Sequence, residues 1–229
     1  MDRFILVILS GEVPFTVTLS RCRLTNIMNL GAVLNRQLLS NQISILKSMS
    51  QTACSNGAVL YLVGGTVRDI LLNRRPSDID IVVEGGGDAL FDVFGQHSGA
   101  VIVKHSRFGT VNILFGEIHI DLALARTETY THPGALPDVK ISDIHHDLAR
   151  RDFSVNAMAV SLEPERWGDL LDPFNGQTDL MNRSIRMLHT NSFIDDATRV
   201  VRAVRYVGRL GFRLEPETEV HLRQGLRYL

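Results

Sequence analysis

Asp78 and Asp80 open an apolar run that continues to Val83, and they are the pair in this chain best suited to holding a hard cation. In a strand, alternate side chains face the same way, so the two carboxylates would share one face while Ile79 and Ile81 point to the core. Paired carboxylates at a strand start offer the oxygen ligands that Mg²⁺ prefers and leave positions for water or phosphate. A second group lies just upstream. Val59 to Val63 is apolar and ends at Gly64-Gly65, after which an amphipathic segment carries Arg68 and Asp69. Backbone N–H groups at a glycine turn that opens a helix can approach an anion closely, and Arg68, one turn in, can add a charge-assisted bond to phosphate. Metal and triphosphate would then meet between Leu60 and Val83. The chemistry this suits is nucleotidyl transfer: a hydroxyl attacks the α-phosphate of a nucleoside triphosphate and pyrophosphate leaves. Metal ions about 3.5–4 Å apart serve the attacking and leaving oxygens in such reactions. Gly-Gly or Asp-x-Asp alone says little; both at this spacing, with Arg68-Asp69 between them, say more. The chain has no Gly-Lys-Ser/Thr of a P-loop, and no Gly-x-Gly-x-x-Gly follows the strand.

These residues need a strand, a glycine turn, a helix and a second strand in succession, and the flanking sequence supplies supports for them. Leu39, Ile43, Leu46 and Met49 recur at helical spacing, which predicts a core-facing helix from Leu39 to Cys54 that ends near Asn56-Gly57. Gly85-Gly86-Gly87 reads as a connection rather than a phosphate loop, because nothing after it supplies further phosphate ligands. Asp88 then fits the N-cap of a helix through His97. Ala100 to Lys104, Thr110 to Phe115 and Glu117 to Leu124 read as strands, the last two joined by a tight turn at Gly116-Glu117. Asp121 shares a face with His119 and Glu117 there and is a candidate third carboxylate beside Asp78 and Asp80. Arg126 to His146, with Pro133, Gly134 and Pro137, predicts a long loop without regular structure.

Asp147 to Leu162 starts polar, with Arg150-Arg151-Asp152 at its head, and becomes continuously apolar. That head fits an ion-paired structural cluster as well as a ligand-facing one. Trp167 to Leu180 is turn-rich, and Ser184 to Leu188 reads as a short strand. Ser192 is placed to cap one helix from Phe193 to Leu210, with Asp195 and Asp196 in its first turn and Gly211 at its end. Arg199, Arg202 and Arg205 recur along it as a basic ridge; with Asp196 they would suit an anionic, base-bearing ligand, and a solvated ridge has the same pattern. Pro216 to Tyr228 begins a further helix.

With 45 % hydrophobic and 21 % charged residues among 229, the chain has the composition of a soluble globular protein. Its formal net charge of −1 means that nucleic-acid binding would rest on a local patch. Cys22 and Cys54 have neither metal-ligand nor disulfide spacing, which favours a reducing, cytoplasmic setting. Phe4 to Leu9 is too short to span a bilayer, and no clear cleavage pattern follows it as in a signal peptide. Residues 1–38 show no period or motif.

LVGGTVRDILLNRRPSDIDIVV, LARRDFSVNAMA, DPFNGQTDL and IDDATRVVRAVR stand in one order along the chain. From about Leu60 to Thr218 it resembles the class II tRNA nucleotidyltransferase and bacterial poly(A) polymerase family, part of the DNA polymerase β-like superfamily. The resemblance implies Mg²⁺ at Asp78 and Asp80, triphosphate contacts at Gly65 and Arg68, Arg151 on the nucleotide, and Asp152 on the ribose hydroxyl. It further implies that Asp196 and Arg199 read the base edge, with Arg202 and Arg205 nearby, and that ARTETYTHPGALPDV is a flexible loop helping to switch nucleotide choice. DPFNGQTDL would be the hinge between head and neck. Asp195 stands where that family usually has Glu, Ser154 where it has Thr, and Ala197 where Pro is frequent; the first and last bear on base preference.

The implied fold class is α+β: a polymerase β-like nucleotidyltransferase head at 39–162, a mixed β-sheet with helices, then a hinge and the start of an all-helical neck at 163–229. Residues 1–38 have no assigned role. The implied function is Mg²⁺-dependent addition of CMP and AMP, or AMP alone, from CTP and ATP to the 3′ end of tRNA, with no membrane partner. Body and tail domains that grip tRNA in that family would lie beyond Leu229, so weak RNA binding is expected of this stretch. Poly(A) addition to general RNA, or nucleotide binding without turnover, would use the same residues. No feature of the sequence fixes an oligomeric state.

Overall fold

The computed structural model describes residues 28–229, apart from 98, 107–109 and 133, together with two short paired strands, β1 (Leu6–Val7) and β2 (Thr16–Val17). Most of Phe4 to Leu9, as well as Cys22, lies outside the described residues. Leu30, Leu34 and Leu38, four apart, bury one side of α1 (Gly31–Gln37), a helix that the sequence reading of 1–38 missed. α2 (Ser40–Ser55) follows where a helix was predicted, with Leu46, Met49 and Ala53 buried, but Leu39, expected on its core face, stands exposed at the N-cap. β3 (Ala58–Val63), α3 (Gly64–Leu71) and β4 (Ile79–Gly85) form the expected strand, turn, helix and strand. The three glycines from Gly85 have positive φ and lead to α4 (Ala89–Gly95). Asp88 stands at the N-cap of α4 without the predicted side-chain bond, because the N–H groups of Leu90 and Phe91 bond the carbonyls of Gly87 and Asp88 instead.

β5 (Ala100–Ser106), β6 (Thr110–Phe115) and β7 (Ile118–Leu124) make an antiparallel meander, the last turn passing through Gly116. The segment expected to be loop is instead a hairpin of β8 (Arg126–Thr129) and β9 (Asp138–Ile141), followed by α5 (Ile144–Ala149), whose first turn is capped by Asp143. Gly134 and Pro137 fall in the connection between the strands, so composition averaged over the segment hid two four-residue strands. After α5 come a 3₁₀ turn at Ser154–Asn156, β10 (Ala159–Ser161), β11 (Leu170–Leu171), α6 (Gly176–Met181) and β12 (Ser184–Ile185).

The helix predicted from Phe193 to Leu210 is two helices, α7 (Ser192–Asp195) and α8 (Thr198–Leu210), parted at Asp196, whose φ of −137° and ψ of 97° are extended. Ser192 does not cap; its buried hydroxyl accepts from Arg199 Nη1 at 2.8 Å. Asp196 takes that role, accepting the Thr198 N–H at 2.9 Å. α8 ends at Gly211 with φ of 70°, as predicted. β13 (Arg213–Leu214), which pairs in parallel with β12, and α9 (Pro216–Gly225) complete the chain.

The main sheet has the order β11-β10-β3-β4-β7-β6-β5, with β4 and β7 parallel and the other neighbours antiparallel, and the class is the expected α+β. On one face Leu60, Leu62, Ile79, Ile81, Ile120 and Leu122 join the main core with α2 and α4 residues such as Met49, Phe91 and Phe94. The other face carries a smaller cluster, Val63, Val82 and Ala159 against Ile144 and Leu148 of α5. Side chains alternate along a strand, so Asp80, two residues before Val82, stands on this second face where the apolar cover stops.

Candidate active site

Asp80 pairs in register with Asp121 across the parallel β4–β7 pair, which puts both carboxylates side by side on one face. Asp78 precedes the strand and is exposed, its Oδ2 accepting from Ser77 Oγ at 2.9 Å. Thr66, buried in α3, ties the corner together: its hydroxyl donates to the Asp78 carbonyl at 3.1 Å and accepts the Asp80 N–H at 2.9 Å. Burial first, and then the neighbouring Asp121 and Asp78, push the Asp80 carboxyl up to about 6, against the opposing pull of Arg151 and Arg68. An added cation would relieve that crowding. Asp121 also accepts from Asn112 across β6 and β7. Among the described residues no group of three or more His, Cys, Asp or Glu side chains is placed to hold a metal ion, so Asp121 does not join Asp78 and Asp80 in a three-carboxylate set. Asp78 and Asp80 offer carboxylate oxygens, the donor type that Mg²⁺ takes.

The first two residues of α3 leave open space beside these carboxylates. Gly64 has φ of 62°, and a Cβ there would lie 2.9 Å from Arg151 Nη1. A Cβ on Gly65 would lie 3.5 Å from Arg68 Nη2 and 3.6 Å from Asp80 Oδ2, in the gap between cation and carboxylate. Arg68 is more committed to the protein than its sequence position suggested. It is buried, with Nε and Nη2 each 2.9 Å from Asp69 Oδ1 and Nη1 donating to Asn156 Oδ1 at 2.8 Å.

The head of the Asp147 segment proves both ion-paired and cleft-facing. Asp147 is fully buried; Oδ1 accepts from Arg150 Nη2 at 2.7 Å and Oδ2 from Arg151 Nη2 at 2.8 Å, leaving Arg151 Nη1 beside Gly64. Asp152 accepts from the Phe153 N–H at 2.8 Å and Asn156 Nδ2 at 3.0 Å on one oxygen, and from Arg202 Nε at 2.7 Å on the other. Arg199 is buried rather than on an open ridge: it donates to Ser192 Oγ and to the Arg150 carbonyl, both at 2.8 Å, and its Nε lies 3.7 Å from Asp196 Oδ2. Three-residue steps on an α-helix drift round its axis, so Arg202 and Arg205 emerge into solvent while Arg199 does not. All twelve residues singled out from the sequence, from Gly64 to Arg205 and including Asp121, line one cleft of about 920 Å³.

The family model for the Poly A polymerase head domain matches residues 60–186. The chain belongs to that family. It is 43 % identical over 191 residues to the A-adding tRNA nucleotidyltransferase of Halalkalibacterium halodurans, covering 83 % of this chain and 45 % of that protein. Its fold is similar to that of an apo CCA-adding enzyme, with a TM-score of 0.82 and 40 % identity over 87 % of this chain and 47 % of the other. A CCA-adding enzyme in complex with ATP gives a TM-score of 0.77 at 36 % identity, covering 87 % of this chain and 45 % of that one. The chain spans less than half the length of the curated relatives it matches.

Within this member of the family, the cleft also contains residues that sequence reasoning passed over. Asn156 bridges Arg68 and Asp152, and no compositional signal marks it, because its neighbours Val155 and Ala157 belong to the apolar run. Arg209 continues the arginine series four residues after Arg205 and lies 3.6 Å from Asp69; extending the helical spacing one more turn would have found it. Tyr206 stands among them. The three glycines from Gly85, by contrast, do not line the cleft, in keeping with a connecting role. Among the described residues, no helix is long and apolar enough to cross a membrane.

Proposed function

We propose that the cleft is the active site of a Mg²⁺-dependent, cytoplasmic nucleotidyltransferase that adds CMP and AMP, or AMP alone, to the 3′ end of tRNA, drawing on CTP and ATP. The observation that carries this reading is the convergence on one cleft of the Asp78/Asp80 pair, the Gly64-Gly65 turn, the Arg151-Asp152 pair and the Asp196/Arg199 end of α8. Asp78 and Asp80 would hold Mg²⁺, which when bound polarises phosphate oxygens and makes a hydroxyl a better nucleophile. The N–H groups at the start of α3 and Arg151 Nη1, freed by the Asp147 clamp on the other arm, take the triphosphate. Asp152, oriented by Asn156 and Arg202, faces the sugar. Asp196 and Arg199, fixed by Ser192 and the Arg150 carbonyl, present a carboxylate and a guanidinium to the base edge. Residues 39–162 act as the head and 163–229 as hinge and neck in this scheme. The names of the relatives, some A-adding, some CCA-adding and one CC-adding, support the tRNA substrate and leave the nucleotide series to experiment.

The test is stepwise extension of tRNA lacking its terminal CCA, with CTP and ATP offered separately, alongside calorimetry of ATP with Mg²⁺ on residues 1–229. Incorporation that stops after one to three nucleotides supports the assignment. Long homopolymer addition to unrelated RNA would favour poly(A) synthesis, and tight ATP binding without extension at saturating RNA would favour a binding module.

A further inference from the structure

Five side chains in the cleft form a closed circuit. Arg68 Nη1 donates to Asn156 Oδ1 at 2.8 Å, and Asn156 Nδ2 donates to Asp152 Oδ1 at 3.0 Å. Arg202 Nε donates to Asp152 Oδ2 at 2.7 Å, and Arg202 Nη2 donates to the Tyr206 hydroxyl at 2.9 Å. The Tyr206 ring closes the loop, with the Arg68 guanidinium carbon 5.3 Å and that of Arg202 5.5 Å from its centroid, both within cation–π range. Phe153 meets the same ring edge-on at 5.8 Å, which fixes its plane. The amide of Asn156 has a single satisfying orientation here, since one neighbour is a donor and the other an acceptor.

We infer that Tyr206 is a positioning residue that holds the sugar-facing Asp152–Arg202 pair and Arg68 of the triphosphate corner in one fixed relation. The inference rests on the proposed nucleotide site and names a residue beyond it. Tyr206 contributes twice. Its hydroxyl accepts from the arm of Arg202 that also reaches Asp152 at 2.7 Å, setting which way that carboxylate turns. Its π-system stabilises two guanidiniums that would otherwise repel one another across the gap between α3 and α8. A carboxylate that must distinguish a ribose hydroxyl from hydrogen needs its free lone pairs held in place, and on α8 that hold comes from Arg202 with Tyr206 behind it.

The experiment is calorimetric titration of ATP and of dATP, each with Mg²⁺, into the wild-type chain, Tyr206→Phe and Tyr206→Leu, with thermal melts to establish folding. Tyr206→Phe keeps the ring and removes the hydroxyl bond; it should melt like the wild type and lower the ATP-over-dATP preference about tenfold. Tyr206→Leu should in addition weaken both nucleotides. An unchanged ATP/dATP ratio in folded Tyr206→Phe, or an equal loss for both nucleotides, overturns the positioning role while leaving the site assignment in place. A wild-type chain that binds neither nucleotide overturns the site assignment and this inference with it. Should Tyr206→Leu not fold, Tyr206→Phe decides alone.

Discussion

Asp80 carries the sharpest conflict between stability and use. Its carboxyl is raised from 3.8 to about 6 chiefly by burial, so the folded state holds a proton that the unfolded state has released. The contribution to stability is therefore full below pH 3.8 and is lost as pH rises through about 6. Asp80→Asn should flatten the stability profile between those values and leave the metal-free protein about 1–3 kcal/mol more stable at pH 8, while abolishing extension. Urea unfolding of both proteins in EDTA across that range checks it; parallel curves would show that the carboxyl is not strained. Gly65 makes a complementary case. Its missing Cβ would meet only ordinary contacts, so Gly65→Ala should be neutral or up to about 1 kcal/mol stabilising, as alanine suits a helix better. Because the methyl would occupy the gap between Arg68 and Asp80, ATP affinity should drop roughly tenfold or more, through loss of close N–H contacts to charged phosphate. An affinity within twofold of wild type would remove the glycine turn from the phosphate site.

Among the elements, the break between α7 and α8 puts a helix cap and the proposed base reading on one residue. Asp196 caps α8 through Thr198 and sits 3.7 Å from Arg199, so its two oxygens have different duties. Asp196→Asn keeps a cap of comparable quality and should hold stability within about 0.5 kcal/mol, whereas Asp196→Ala should cost about 1 kcal/mol. Both should alter the choice between CTP and ATP. Melting curves beside single-nucleotide incorporation separate the two effects; unchanged choice in the asparagine variant would argue against base reading. The sequence showed this region only in outline. Helical spacing and Gly211 placed the end of α8, yet the start was misread because Ser192 looks like a cap until its hydroxyl is seen committed to Arg199. The β8–β9 hairpin was misread for a related reason: its pairing partner lies across a proline- and glycine-bearing connection that dominates the local composition. Strand propensity in four residues is too weak a signal to outvote it.

At the scale of the whole molecule, the residue list was legible and the wiring was not. Asp78, Asp80, Gly64 and Gly65 could be picked out because each lies in a short pattern with its own chemistry, whereas Arg151 and Asp152 are singled out by the resemblance that LARRDFSVNAMA carries. The pairs of Asp147 with Arg150 and Arg151 are of the i,i+3 and i,i+4 kind that helical spacing could have suggested. That Asn156 joins Arg68 to Asp152, by contrast, depends on a contact between separate stretches, which periodicity does not encode. The register of Asp80 with Asp121 is of the same kind, suggested by a strand face and established only by the β4–β7 pairing. That pairing also sets an order of events in time. β3, α3 and β4 are contiguous and can associate locally, whereas β4 and β7 pair across the intervening α4, β5 and β6, so this contact carries the larger loop-closure cost and is expected to form later. Asp80 becomes crowded by Asp121 only at that late stage, so the cation that relieves the crowding stabilises the finished state more than the transition state leading to it. Divalent ions should therefore slow the unfolding limb of a chevron severalfold and leave the refolding limb nearly unchanged. In kinetic terms, the metal would act as a latch on a completed sheet and not as a seed for its assembly.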